Sequence, residues 1–146
     1  MSLHHQLSLS LYTNSRAFIQ LIQGYLNDFH LTYPQYMAMS ILWEEDGILV
    51  KQLGEKLHLD SGTLTPLLKK LEAMNYVKRV RGEQDERTVR IELTYPGKSL
   101  QPKILQALSP LEENINEYIS QDVVALNNSL QNLFESIETL KQKSKE

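Results

Sequence analysis

The stretch DSGTLTPLLKK, residues 60–70, sets small hydroxyl side chains and a glycine ahead of two lysines. Ser61, Gly62, Thr63 and Thr65 are short enough to let a backbone approach a phosphate or a base edge, and the hydroxyls both donate and accept hydrogen bonds. At the front of a helix they would also sit in the positive end of its dipole. The leading end of a helix that enters the DNA major groove has these needs: slim, hydrogen-bonding and positively polarised. Pro66 lies about one turn in, on the same stretch, and Lys69 and Lys70, one to two turns on, are placed to meet phosphates. A second basic group follows at Lys78, Arg79, Arg81 and Arg90, with Arg87 at the tip of the loop RGEQDER. An arginine there suits the minor groove, whose potential is most negative over narrow A·T tracts. Asp85 repels phosphate, so its expected work is to hold the loop by pairing with Arg87 or a backbone N–H.

These residues need elements to carry them. Leu7, Leu11, Phe18, Ile19, Ile22, Leu26 and Phe29 recur at three- and four-residue spacing, which predicts a first helix from about Gln6 to Phe29. Thr32 is positioned as the N-cap of a second, with Pro34 in its first turn, and that helix ends near Gly47. A short third helix is expected from about Val50 to Leu57. Asp60 or Ser61 caps the fourth, whose buried stripe is Leu64, Leu67, Leu68, Leu71 and Met74. YVKRV and TVRIEL alternate apolar and polar residues and predict a two-stranded ribbon. After TYPG, Leu100 to Ile119 repeat at helical spacing, and so do Val123 to Leu140, which gives a fifth and a sixth helix. EED at 44–46 reads as a solvated helix end. The fold class is mainly α with a small β-ribbon, in the order of a winged helix-turn-helix.

Taken singly, each signal has an ordinary meaning: Ser, Thr and Asp cap helices, lysines sit on solvated faces, and DER makes a turn. Their order and spacing together favour DNA, and so does the charge distribution. The 146-residue chain carries net charge −3, yet from Lys51 to Lys98 ten Lys and Arg face seven Asp and Glu, a local +3. With 41% hydrophobic and 23% charged residues it reads as one globular domain. No apolar run is long enough to span a membrane and no secretory signal opens the chain, so a cytoplasmic protein without membrane association is expected. There is no cysteine, which excludes disulfides and thiolate metal sites. His4, His5, His30 and His58 form no ligand pair with a carboxylate, and no GxSxG, P-loop or GxGxxG occurs. No metal, cofactor or catalytic residue is expected, and the chain does not read as an enzyme.

LTYPQYMAMSILWEE, LGEKLHLDSGTLTPLLKKLE and DERTVRIELT resemble the MarR family of winged-helix transcription regulators, and most closely its organic hydroperoxide-sensing branch. The similarity runs from about Gln6 to Leu100; the last two helices match in pattern only. The resemblance implies a homodimer reading a pseudo-palindromic double-stranded operator, with half-sites about one helical turn apart. It implies N- and C-terminal dimerisation helices at 1–30 and 98–146 and a DNA-binding lobe at 31–97. This branch senses peroxide through a cysteine near the start of the first helix, held by tyrosines. Here the aligned position is Ser8, with Tyr12 and Tyr33 matching two tyrosine partners and Ile22 replacing another. A serine hydroxyl cannot climb the sulfenic acid ladder. Ser8 is therefore either an engineered replacement that mimics the reduced state, the favoured reading, or the mark of a lineage that answers another signal.

The leading expectation is a dimeric repressor of hydroperoxide-sensing descent, silenced at Ser8. The alternatives are a repressor induced by a small aromatic ligand between the dimer helices and the winged lobe, and a winged-helix module that binds protein in place of DNA.

Overall fold

The computed structural model describes residues 1–85 and 88–146. The apolar periodicity of the first segment yields helix α1 (Leu3–Leu26), which begins a turn before Gln6 and passes into a 3₁₀ turn (Asn27–Phe29) closed by His30 in the left-handed region. Helix α2 (Tyr33–Glu44) is capped by Thr32, whose hydroxyl accepts from the Gln35 amide while the Gln35 side chain accepts from the Thr32 amide; Pro34 sits in its first turn. Helices α3 (Val50–Leu57) and α4 (Ser61–Ala73) follow. Strands β1 (Val77–Arg81) and β2 (Val89–Leu93) pair antiparallel, with Val77 opposite Leu93 and Arg81 opposite Val89. Helix α5 (Tyr95–Tyr118) takes in the YPG that was expected to precede it, and α6 (Val123–Ser144) is capped by Asp122. The mainly helical class with a small ribbon and long terminal helices stands.

The chain divides into two compact units, Met1–Leu108 and Ser109–Glu146. The core of the first is apolar and drawn from each of its α-helices and strands: Leu26, Met39, Leu42, Leu53, Leu64, Leu68, Leu71, Val77, Ile91 and Ile104 are almost fully enclosed. In the second unit α6 buries no side chain at all. Leu126, Leu130 and Leu140 stand exposed along it, Leu140 by 63%.

Two connections go beyond the sequence reading. The ribbon carries a third, very short partner: Gly47 N donates to Ile91 O at 3.0 Å, Ile91 N donates to Ile48 O at 2.9 Å, and Leu49 bridges Arg90. Gly47 makes this turn with a φ of 79°, a conformation that a residue with a Cβ resists. The expected solvated end at 44–46 is present, with α2 closing at Glu44 and Glu44, Glu45 and Asp46 all exposed, but Asp46 also makes ties that the sequence did not announce. Asp46 Oδ1 accepts from Leu93 N at 2.8 Å and its other oxygen faces the Lys98 ammonium at 3.9 Å, so the carboxylate satisfies a strand amide next to the core.

The start of α5 is fastened on three sides. Thr94 Oγ1 donates to Asn75 O and accepts from Gly97 N, and Trp43 Nε1 of α2 donates to Gly97 O at 2.9 Å. A Cβ on Gly97 would overlap the Tyr76 carbonyl, so the helix can lie this close only without a side chain there. Gly97→Ala is expected to destabilise the fold by about 1–3 kcal/mol, as overpacking does; urea denaturation at fixed protein concentration measures it, and an unchanged midpoint would contradict the close approach.

Candidate nucleic-acid interface

The outer face of α4 is set by what its inner face buries. Leu64, Leu67, Leu68 and Leu71 point into the core, which leaves Ser61, Gly62, Thr63, Pro66, Lys69 and Lys70 exposed and Thr65 half-buried. The expected strip is therefore present as one continuous surface. Between the two candidate caps the structure selects Asp60, whose carboxylate accepts from Thr63 N at 2.8 Å. Hydrogen bonds from the Thr63 amide, then the Thr63 hydroxyl, and also the Gly62 amide hold the Asp60 carboxyl below its ordinary value. Pro66 is the sixth residue of the helix, where a proline deletes a backbone hydrogen bond and in general costs about 3 kcal/mol. Ahead of α4, His58 closes α3 in the left-handed conformation, and Gly54 lets the two helices meet: a Cβ there would lie 3.0 Å from Leu59 O.

The ribbon's basic residues divide by face. Arg79 stands opposite the buried Ile91 and so shares its side, toward α4. Glu72 of α4 meets it there: one carboxylate oxygen accepts from Arg79 N at 3.3 Å and the other lies 3.6 Å from the guanidinium. Arg81, opposite Val89, lines the same cleft as Glu72 and Arg79. On the other side Lys78 pairs with Glu92 across the strands at 3.7 Å, and Arg90 Nη1 donates to Gly47 O at 2.9 Å. Arg90, expected on the basic face, is thus also a structural tie. At the loop, the Asp85 carbonyl accepts from both the amide and the hydroxyl of Thr88. Arg87, and with it the expected pairing to Asp85, lies outside the described residues. A groove of about 930 Å³ runs between α3, the front of α4 and β2, lined by Lys51, Leu59, Leu64, Thr65 and Val89 among others.

The residues aligned with a redox site are more dispersed. Ser8 is exposed on α1, and its hydroxyl donates to His5 O at 3.0 Å. Tyr12, one turn on, is also exposed, with the Arg16 guanidinium 5.3 Å from its ring centre. Tyr33 heads α2, half-buried; burial first, and the neighbouring Tyr36 second, push its phenol above the ordinary value. None of these hydrogen bonds or ring contacts joins one of the three side chains to another. What ties α1 to α2 is a residue the sequence did not single out: Gln23 Nε2 donates to Leu31 O at 2.7 Å and its Oε1 accepts from Tyr33 N at 2.9 Å. A glutamine beside Ile22 on an otherwise apolar stripe was its only signal.

Residues 20–104 match the family described as Transcriptional regulator SarA/Rot. Across 144 residues, 99% of this chain and 95% of the relative, the sequence is 39% identical to the organic hydroperoxide resistance transcriptional regulator of Bacillus subtilis (strain 168). The chain belongs to the SarA/Rot family of transcriptional regulators. It is 40% identical over 144 residues to SarZ of Staphylococcus epidermidis (strain ATCC 12228 / FDA PCI 1200), covering 97% of this chain and 90% of that protein. Its fold is similar to that of reduced AbfR bound to DNA, with a TM-score of 0.82 at 35% identity over 94% of this chain and 93% of that one. The MarR-like winged helix anticipated from residues 6–100 is confirmed, and the chain is a DNA-binding transcription regulator related to organic hydroperoxide regulators. Its relatives are regulators, not enzymes. Among the described residues no helix is long and apolar enough to cross a membrane.

Two outcomes follow from this geometry. Because Glu72 already neutralises Arg79, Glu72→Gln should release one guanidinium per protomer to phosphate and steepen the dependence of log affinity on log salt by about 0.9 per protomer; an unchanged slope in a salt titration would place Arg79 away from DNA. The Asp60 cap has a folded pKa below its unfolded value, so its stabilisation is present above the ordinary carboxylate range and is lost as pH falls through the lowered value. Asp60→Ala should therefore lower the melting temperature at neutral pH and converge with the parent in acid, as thermal scans across pH would register.

Proposed function

We propose that this protein is a homodimeric, sequence-specific repressor that binds a pseudo-palindromic operator and has lost the thiol switch of its hydroperoxide-sensing relatives at Ser8. The observation that carries the DNA reading is the exposed strip Ser61, Gly62, Thr63, Pro66, Lys69 and Lys70, with half-buried Thr65 beside it, on a helix whose other face is locked in the core. In this reading residues 31–97 form the DNA lobe, Lys69 and Lys70 meet phosphates, Arg79 and Arg81 flank the groove beside them, Asp85 holds the wing loop and Arg87 enters the minor groove. Residues 1–30 and 98–146 form the dimer. The open stripe of α6, with exposed Leu7 and Phe18 on α1, supports a second copy as the missing cover, because helices with such stripes bury them against something.

The loss of the switch rests on chemistry. A thiolate attacks the terminal peroxide oxygen, the O–O bond breaks, the alkoxide leaves as an alcohol and the sulfur becomes a sulfenic acid, whereas a serine hydroxyl is far too weak an acid to present the anion, and its oxygen has no comparable oxidation states. Ser8 spends its proton on the His5 carbonyl. With no cysteine elsewhere in the chain, no other residue takes over that step. Operator release then needs either a restored thiol or another inducer that favours a different spacing of the two recognition helices.

Fluorescence anisotropy on the DNA upstream of the protein's own coding region, with and without an organic hydroperoxide, tests this reading for the parent and for Ser8→Cys. Both should bind, and only Ser8→Cys should release DNA on oxidation. If neither responds, Ser8 does not mark a lost switch; if neither binds in a salt-dependent way, the DNA reading fails at that operator.

A further inference from the structure

The exposed strip of α4 is unusual for what it omits. Two-point recognition of a purine in the major groove uses Arg or Lys on guanine O6 and N7, or Asn or Gln on adenine N6 and N7. Between Ser61 and Lys70 there is no Arg, Asn or Gln. Lys69 and Lys70 stand in the third turn, behind the residues that a docked helix presents to base edges. Toward the bases the strip offers only the methyls of Thr63 and Thr65, the ring methylenes of Pro66, and hydroxyls that donate or accept to any base.

Two of these residues are poor choices for a helix and are not demanded by the protein's own packing. Gly62 has no Cβ, yet a Cβ there would meet only Asp60 Oδ1 at 3.5 Å, an ordinary contact. Pro66 breaks the backbone ladder inside the helix and places its ring on the exposed face, not in the core. A helix filled only for stability would carry alanine or a charged residue at both positions. Where local rules are broken without an internal reason, the reason lies on the binding side. Here the result is a shallow surface: a gap at Gly62 bordered by the methyl of Thr63 and followed by Thr65 and the Pro66 ring.

The one apolar group that the major groove displays is the C5 methyl of thymine. We propose that α4 identifies its operator through thymine methyl groups, seated against Thr63, Thr65 and Pro66, and not through two-point purine contacts. This rests on the DNA-binding reading above and adds the chemistry of the half-site: A·T pairs in the major-groove boxes, with no guanine required in them.

The test begins with duplexes selected by the full-length chain from a randomised library, followed by replacement of deoxythymidine with deoxyuridine in the boxes of the selected consensus. Deoxyuridine keeps the hydrogen-bonding edge and removes only the methyl. Each contacted methyl should contribute about fourfold in affinity, and a symmetric pair about fifteenfold. The discrimination should shrink in a Thr63→Ser, Thr65→Ser double variant and survive Thr63→Val, which keeps a methyl and loses the hydroxyl. Equal affinity for the thymine and uracil duplexes overturns the proposal, and so does a consensus that requires guanine in the boxes and loses that requirement with Lys69→Ala. A library with no enrichment, despite salt-dependent binding, removes the sequence-specific function itself and this inference with it.

Discussion

The two hydrogen bonds that Ile91 exchanges with Gly47 and Ile48 are the constraint on which the winged-helix lobe depends. A two-stranded ribbon alone in water is marginal at best. This one is held at the middle of β2 by the connection between α2 and α3, and the same corner adds Arg90 on the Gly47 carbonyl and Asp46 on the Leu93 amide. The paired strands are therefore tied directly to the helix pair beside them. If α4 and the wing meet two grooves as proposed, a fixed separation between them saves the freedom that docking would otherwise remove.

Electrostatics in the lobe are also partly settled within the protein. Glu72, Glu45, Asp46 and Glu92 sit against Arg79, Lys56, Lys98 and Lys78 at exposed or half-exposed positions. Such pairs contribute little to stability, but each one moderates the field presented to a polyanion. In the proposed reading this leaves the exposed lysines of α4 as the local attraction for DNA in an otherwise acidic chain. Specificity, in the same proposed reading, then comes from the shape and the small apolar groups of the α4 strip.

Much of this was legible in the order of residue types. The leucine spacing from Leu64 to Leu71 fixes which side of α4 is buried, and the same arithmetic exposes Ser61 to Thr63 and the lysines. Thr32 with Pro34 two residues on announced α2 correctly, because capping chemistry is local. What escaped depends on contacts distant in sequence. Asp46 looks like a helix end until Leu93 arrives beside it, 47 residues later. Ile48 and Leu49 are too short a run to signal a strand, and become one only because Ile91 and Arg90 offer partners. The choice between Asp60 and Ser61 as cap was undecidable from type alone, since both accept an amide hydrogen bond equally well. The start of α5 was misplaced because Gly97 reads as a breaker, whereas its lack of a side chain is what lets the helix pass the Tyr76 carbonyl.

That passage has a mechanical consequence. With Trp43, Thr94 and Asn75 all gripping its first turn, α5 is clamped to the lobe instead of hinged on it. From Tyr95 to Leu108 it acts as a stiff handle about 21 Å long at 1.5 Å per residue. A force that shifts the far end of the handle by about 3 Å turns the whole lobe by about 8°, recognition helix and wing together. Anything that pushes on the far part of this segment would thus turn α4 and the ribbon together without deforming them.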